Sequence, residues 1–259
     1  MLTKDQLAKI AQRNHIGLGV QERDYIQHLF LSLLYGKTQD FVFKGGTALR
    51  VAYNFARYSE DLDFNSLLPS EKVKELIMST VNELGSFGVK AEFRKPHVFK
   101  ENGERGLNGD ISYQGPLFTG KSGSRGKVRV DVSLRGETGV TKKVVIAPKY
   151  DDISQFILTV FTINEIFAEK ARALIIRGKP RDLYDVWVLL GSGVEINLPL
   201  INKKLMLYNK TFDFAEFKNK VKESERDWET DLRGLLPQTI LFKDIQNTVI
   251  AGFGKNTRL

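Results

Sequence analysis

The spacing of apolar residues changes once along this chain, and that change restricts the folds open to it. Between residues 88 and 146, VKAEFRKPHVF, GDISYQG and KVRVDVSLR alternate apolar and polar residues, the period of half-buried strands. From about Ser154 the period becomes helical. TINEIFAEKARALIIRG opens with Thr162 and Glu165 at capping-box spacing and closes on Gly178, and Pro180 starts a further helix over 180–190. Trp228, Leu232 and Leu235 mark a later helix, and TILFKDIQNTVIAGF the last.

Ahead of the strands the order is mixed. VQERDYIQHLFLSLLYG is helical and FVF (41–43) is a short strand. Gly45-Gly46 make a turn, a helix runs from about Thr47 to Phe55, DLDFNS (61–66) is a strand, and Pro69-Ser70 open a helix ending near Leu84. The fold class expected is α+β: a mixed sheet with flanking helices over 1–157, then a helical bundle over 158–259.

Composition narrows the chemistry. The 259 residues include no cysteine, which excludes disulfides, thiolate zinc sites and a cysteine nucleophile, and fits a reducing cytoplasm. Three histidines, His15, His28 and His97, are too few for a histidine-based metal centre to be expected. No run of 18 apolar residues occurs and the start, MLTKDQLAKIAQRN, lacks an apolar signal core, so a cytoplasmic protein with no membrane association is expected. The net charge of +8 suits solubility and also suits an anionic partner such as a nucleotide or nucleic acid.

The chemistry concentrates in FKGGTALRVAYNFARYSEDLDF, residues 43–64. In a strand, Asp61 and Asp63 face one way while Leu62 and Phe64 face the other, into the core. Two carboxylates on one face repel each other unless they share a proton or a cation. Magnesium takes such oxygens and commonly completes its shell with substrate phosphates. A solvated acidic strand end has the same spacing. Gly45, Gly46 and Thr47 add a strand-to-helix turn whose backbone N–H groups can receive phosphate. Asp131, opposite the buried Val128, Val130 and Val132 in KVRVDVSLR, is a candidate third carboxylate if its strand lies beside 61–66.

Lys170 falls on the apolar stripe of its helix, beside Ile166, Phe167 and Leu174, and is a candidate cation for a triphosphate in a cleft between the two halves; a snorkelling lysine would fit the same spacing. Asp182 sits in the first turn of the next helix, where a carboxylate also complements the helix dipole, with Asp185 one turn on. GPLFTGKS (115–122) matches the Walker A spacing but is followed by SGSRGKVRV, two more glycines and a strand rather than a helix. It is expected to be a basic hairpin loop in which Lys121, Arg125 and Lys127 are candidates to touch nucleic-acid backbone; simply solvated cations fit the same loop.

Gly45-Gly46, RYSEDLDF (57–64) and EKARALIIRGKPRDLYDVWVLL (169–190) together resemble the AbiEii/AbiGii-type toxin nucleotidyltransferases of the DNA polymerase β-like superfamily, from about residue 20 to the C-terminus. That resemblance implies a nucleotidyltransferase domain joined to a helical bundle that completes the active-site cleft. It implies an NTP donor, Mg2+ or Mn2+, and an RNA acceptor such as the tRNA acceptor end. It also implies a toxin of a toxin–antitoxin or abortive-infection pair, with a cognate antitoxin protein as a possible partner. Asp61 and Asp63 match the metal-binding pair, Lys170 and Asp182 the later motif, and Asp131 the third carboxylate by strand context only. Arg57 and Ser59 fall within the motif and are expected at the nucleotide. Gly-Gly-Thr stands where the superfamily often has Gly-Ser, so the phosphate-binding hydroxyl would come from Thr47. Transfer to a protein or small molecule, or a non-catalytic RNA- or partner-binding module, remain the alternatives.

Overall fold

The computed structural model describes residues 1–101, 104–238 and 240–256. They form two compact units, Met1–Phe161 and Thr162–Leu259. The first contains helices α1 (Lys4–Arg13), α2 (Leu18–Lys37), α3 (Gly45–Tyr53) and α4 (Ser70–Glu83). Its strands are β1 (Phe41–Lys44), β2 (Asp61–Ser66), β3 (Lys90–Glu101), β4 (Glu104–Gln114), β5 (Gly126–Ser133), β6 (Thr141–Ile146) and β7 (Phe156–Phe161). The second unit contains α5 (Ile163–Arg177), α6 (Pro180–Gly191), α7 (Leu198–Leu205), α8 (Phe214–Glu223), α9 (Trp228–Leu232) and α10 (Phe242–Asn256).

The strands make one mixed sheet in the order β3-β4-β5-β2-β1-β7-β6. β2 runs antiparallel to β1 and parallel to β5. Alternation along these three central strands is strict. Phe41, Phe43, Leu62, Phe64, Val128, Val130 and Val132 are buried on one face, which leaves Val42, Lys44, Asp61, Asp63, Asn65, Arg129, Asp131 and Ser133 on the other. On the apolar face Phe64 packs against Phe41 and Phe43, with ring centroids 5.5 and 5.2 Å away. Burying one such side chain is worth about 2–3 kcal/mol. α2 packs on β5, β7 and α4, and its Tyr25, Ile26, Leu29, Phe30 and Leu34 are buried.

The first unit ends with Phe161, the last residue of the strand FILTVF. Four of its six residues are buried in succession. A central strand covered on both sides has no alternation to distinguish it from a buried helix turn. β6 likewise lies outside the strands that alternation marks.

In the second unit, α5 contributes Ile166, Phe167 and Leu174 to a core shared with Phe217 and Phe253, whose rings lie 4.2 Å apart. Gly178 ends α5 in the left-handed conformation (φ 62°), and Pro180 occupies the first turn of α6. The capping box expected at Thr162 and Glu165 does not form. Thr162 makes no side-chain cap bond, and the Glu165 carboxylate pairs with buried Lys204 at 2.8 Å.

Candidate active site

β1 delivers the chain to the carboxylates and α3 leads it away. Lys44 ends β1 and is register partner to Asp63 on β2. Asp63 is in turn partner to Asp131 on β5, and Asp131 to Asn108 on β4. One rung of the sheet therefore reads Lys44, Asp63, Asp131, Asn108. Asp61 shares its face one step along β2 and pairs in register with Arg129. The adjacency of β2 and β5 that would bring Asp131 to the pair is present.

Gly45 has φ 75°, in the region that favours glycine, and a Cβ there would overlap the Asp63 carboxylate. A Cβ on Gly46 would overlap the Arg57 guanidinium and lie 3.1 Å from Ser59 Oγ. Glycine at both positions thus lets Asp63, Arg57 and Ser59 close on the start of α3, where the N-cap residue Lys44 makes no side-chain cap bond. Five expected nucleotide or metal residues, Gly45, Gly46, Arg57, Ser59 and Asp63, meet there. The Thr47 side chain is fully buried and its hydroxyl donates to the Asp61 carbonyl, which fixes α3 to β2.

The other end of α3 is tied to α2. Arg50 Nε donates to Asp24 Oδ1 at 2.6 Å, and the Tyr150 hydroxyl donates to Asp24 Oδ2 at 2.6 Å. Burial alone would raise the Asp24 carboxyl. The charges of His28 and Arg50, with hydrogen bonds from Arg50 and Tyr150, outweigh it and hold the group below the usual carboxylate range. Tyr58, next to Arg57, lies under the Arg50 guanidinium at 3.3 Å.

Asp61, Asp63 and Asp131 share a sheet face. Among the described residues no group of three or more histidine, aspartate or glutamate side chains is close enough to hold a metal ion. The fit to a divalent cation thus rests on donor type and backbone register. Carboxylate oxygens suit magnesium and manganese, and Asp63 and Asp131 are nearest neighbours across adjacent strands.

Residues 115–125 have no P-loop geometry. Lys121-Ser122 lead into a single 3-10 turn, Ser122–Ser124, and then into β5. Lys121 is exposed and Arg125 half-buried, whereas Lys127 belongs to β5 and pairs with Asp110 at 3.1 Å. Glu22 on α2 anchors the loop by accepting the Leu117 N–H at 2.7 Å. Burial pushes its carboxyl above the ordinary value despite hydrogen bonds from Leu117 and Tyr113.

In the second unit Lys170 is buried (7% exposed) and does not snorkel. Its Nζ lies 2.7 Å from Asp185 and 3.4 Å from Asp182. Arg177 grips the fully buried Asp182 with two hydrogen bonds of 2.6 and 2.9 Å. Lys170 and Asp182 are thus brought together as expected. Asp185 is the nearer partner, and the i, i+3 spacing of Asp182 and Asp185 on α6 carried that signal.

Among curated proteins none matches the sequence. The fold is similar to that of MenT4, a nucleotidyltransferase toxin from Mycobacterium tuberculosis H37Rv, with TM-score 0.75 and 20% identity over 100% of this chain and 91% of that one. It is also similar to JHP933 from Helicobacter pylori, with TM-score 0.59 and 18% identity over 94% of each chain. The model of the AbiEii family, nucleotidyl transferase toxins of type IV toxin–antitoxin systems, matches residues 31–248. That match spans β1, the glycine turn, the carboxylate rung and the Lys170–Asp182 pair, and the chain belongs to the AbiEii nucleotidyltransferase toxin family.

Proposed function

We propose that the protein transfers a nucleotide from an NTP to an RNA hydroxyl, such as that of a tRNA acceptor end, with a divalent cation held by Asp61, Asp63 and Asp131. The observation that carries this reading is the shared rung of Asp63 and Asp131 beside the glycine-lined start of α3. When bound, magnesium or manganese supplies Lewis-acid stabilisation of charge on the phosphoryl oxygens.

The protein's own residues do the rest. Backbone N–H groups of Gly45, Gly46 and Thr47 receive the donor phosphates, with Arg57 and Ser59 beside them. Asp131 takes the proton of the acceptor hydroxyl. That oxygen forms the new bond to the α-phosphorus, the bond from the α-phosphorus to the bridging oxygen breaks, and pyrophosphate leaves. Lys170, oriented by Asp182 and Asp185, is the cation assigned to nucleotide phosphate. The net charge of +8 and the exposed Lys121 support a polyanionic acceptor over a neutral one. A toxin of this family is one half of a toxin–antitoxin system, and the cognate antitoxin is the protein partner proposed here. Among the described residues no helix is long and apolar enough to cross a membrane, and the reading places the reaction in the cytoplasm.

The test is incubation with each labelled NTP, magnesium or manganese, and total RNA. Label appearing in an RNA species supports the reading. Label that appears only in protein or a small molecule reassigns the acceptor, and no label in any fraction contradicts transfer.

A further inference from the structure

Residues 54–60 belong to no helix or strand, yet they carry Arg57 and Ser59, the side chains that close on Gly46 at the start of α3. The contacts that hold this segment come from α2. Gln21, Asp24 and Gln27 are polar but buried there, at 1, 3 and 1% exposed. Their spacing of three puts them on one stripe of the helix.

Gln27 donates to the Ser59 carbonyl at 3.2 Å, and Gln21 accepts from the Tyr58 hydroxyl at 3.2 Å. Arg23 reaches the Glu60 carboxylate at 2.8 Å. Asp24 acts at one remove. It accepts Arg50 Nε at 2.6 Å. The Arg50 guanidinium lies 3.3 Å from the centre of the Tyr58 ring and donates a long 3.4 Å bond to the Ala56 carbonyl. Arg57 completes the series by donating to the Tyr58 carbonyl at 3.0 Å, so its guanidinium follows the placing of Tyr58.

Stability does not require this arrangement. α2 already reaches the core through Tyr25, Ile26, Leu29 and Phe30. Replacing a buried ion pair by apolar residues of similar volume is often neutral or stabilising. What the pair of Asp24 and Arg50 supplies is a fixed direction for the guanidinium, and that direction ends on Tyr58 and Ala56.

We propose that Asp24 is a positioning residue for nucleotidyl transfer. Through Arg50 and Tyr58 it sets the backbone of 56–60, and with it the place of Arg57 and Ser59 against the donor phosphates at Gly46. The proposal rests on the nucleotidyl-transfer reading, and it adds a residue that acts through others rather than on the nucleotide.

The double variant Asp24→Leu with Arg50→Met tests it, because both charges go and apolar bulk stays. The measurements are a thermal melt, calorimetric binding of ATP, GTP, CTP and UTP, and the KM values for NTP and for total RNA in the labelling reaction. The double variant is expected to melt close to the wild type. Its Kd and KM for NTP are expected to rise about tenfold, the scale of one charge-assisted hydrogen bond, with the KM for total RNA unchanged. Asp24→Asn keeps an acceptor for Arg50 Nε and is expected to weaken NTP binding by about threefold at most. A purely structural role would lower the active fraction, and so kcat, and leave both KM values as they are; that result overturns the proposal. Asp24→Asn binding NTP as poorly as the double variant overturns it too, since charge rather than position would then decide. If the double variant does not fold, Arg50→Lys decides. It keeps a cation for Asp24 and loses the planar group over Tyr58, so NTP binding is expected to weaken about tenfold, and wild-type affinity overturns the proposal. Wild-type protein that neither binds NTP nor modifies RNA instead overturns the transfer reading itself, and the proposal with it.

Discussion

Asp63 on β2 and Asp131 on β5 are register partners on parallel strands, and Lys44 flanks Asp63 from β1. Two carboxylates in neighbouring strands repel, and a divalent cation between them removes that cost. Magnesium is therefore expected to raise the melting temperature of the wild type, by the equivalent of about 2.7 kcal/mol at a hundredfold excess over its Kd. Asp63→Asn or Asp131→Asn should abolish the rise. A magnesium shift of equal size in both variants would move the cation elsewhere.

Gly46→Ala tests the start of α3. The new methyl meets the end of the Arg57 side chain rather than backbone. The protein is expected to fold, with Arg57 displaced and NTP affinity reduced at least tenfold by calorimetry. Gly45→Ala, at φ 75° and against Asp63, is expected to lose both stability and binding. Equal NTP affinity in wild type and Gly46→Ala would remove Arg57 from the phosphate site.

Lys170→Met is expected to destabilise the second unit. The lysine is buried between Asp182 and Asp185, and removing one partner of a buried ion pair costs roughly 3–5 kcal/mol. The double variant Lys170→Met with Asp185→Asn should recover part of that loss while staying inactive. Urea unfolding of the three proteins measures this. A Lys170→Met variant as stable as the wild type would mean that the pair contributes no stability.

Glu22 gives a pH signature. Its carboxyl lies above the ordinary 4.5, so the unfolded chain releases that proton at lower pH than the folded protein does. The contribution of this group is complete below 4.5 and is lost as pH rises through the folded value. Glu22→Gln keeps an acceptor for the Leu117 N–H and carries no charge. It is expected to be more stable than wild type in urea at pH 7, with the difference vanishing near pH 4. A variant less stable at pH 7 contradicts this.

Replacing Lys121, Arg125 and Lys127 with alanine should weaken RNA binding and flatten its salt dependence, by about 0.7–0.9 in the log–log slope per lost phosphate contact. Lys127, paired with Asp110, should contribute least. A variant with unchanged RNA affinity but reduced NTP affinity would turn the loop into a donor-phosphate site.

Much of the first unit was legible because its central strands alternate. The 61–66 strand lies where DLDFNS placed it, and the common face of Asp61 and Asp63 follows from a period of two. β7 was hidden because the last four residues of FILTVF are buried in succession and show no period. The place of Thr47 at the glycine turn was readable, but the hydroxyl's bond to the Asp61 carbonyl is a tertiary contact that no local pattern encodes. The Lys170 stripe was visible, while Arg177 needed the Gly178 turn to bring the end of α5 back to Asp182.

The most direct test of nucleotidyl transfer by this face is label transfer from NTP to RNA by wild type, Asp61→Asn and Asp63→Asn, each first shown to be folded by a thermal melt. The wild type is expected to label RNA, and each variant to lose at least a hundredfold in rate, the scale on which removal of a transition-state contact is felt. Variants that label RNA at the wild-type rate would contradict the assignment of the reaction to Asp61 and Asp63.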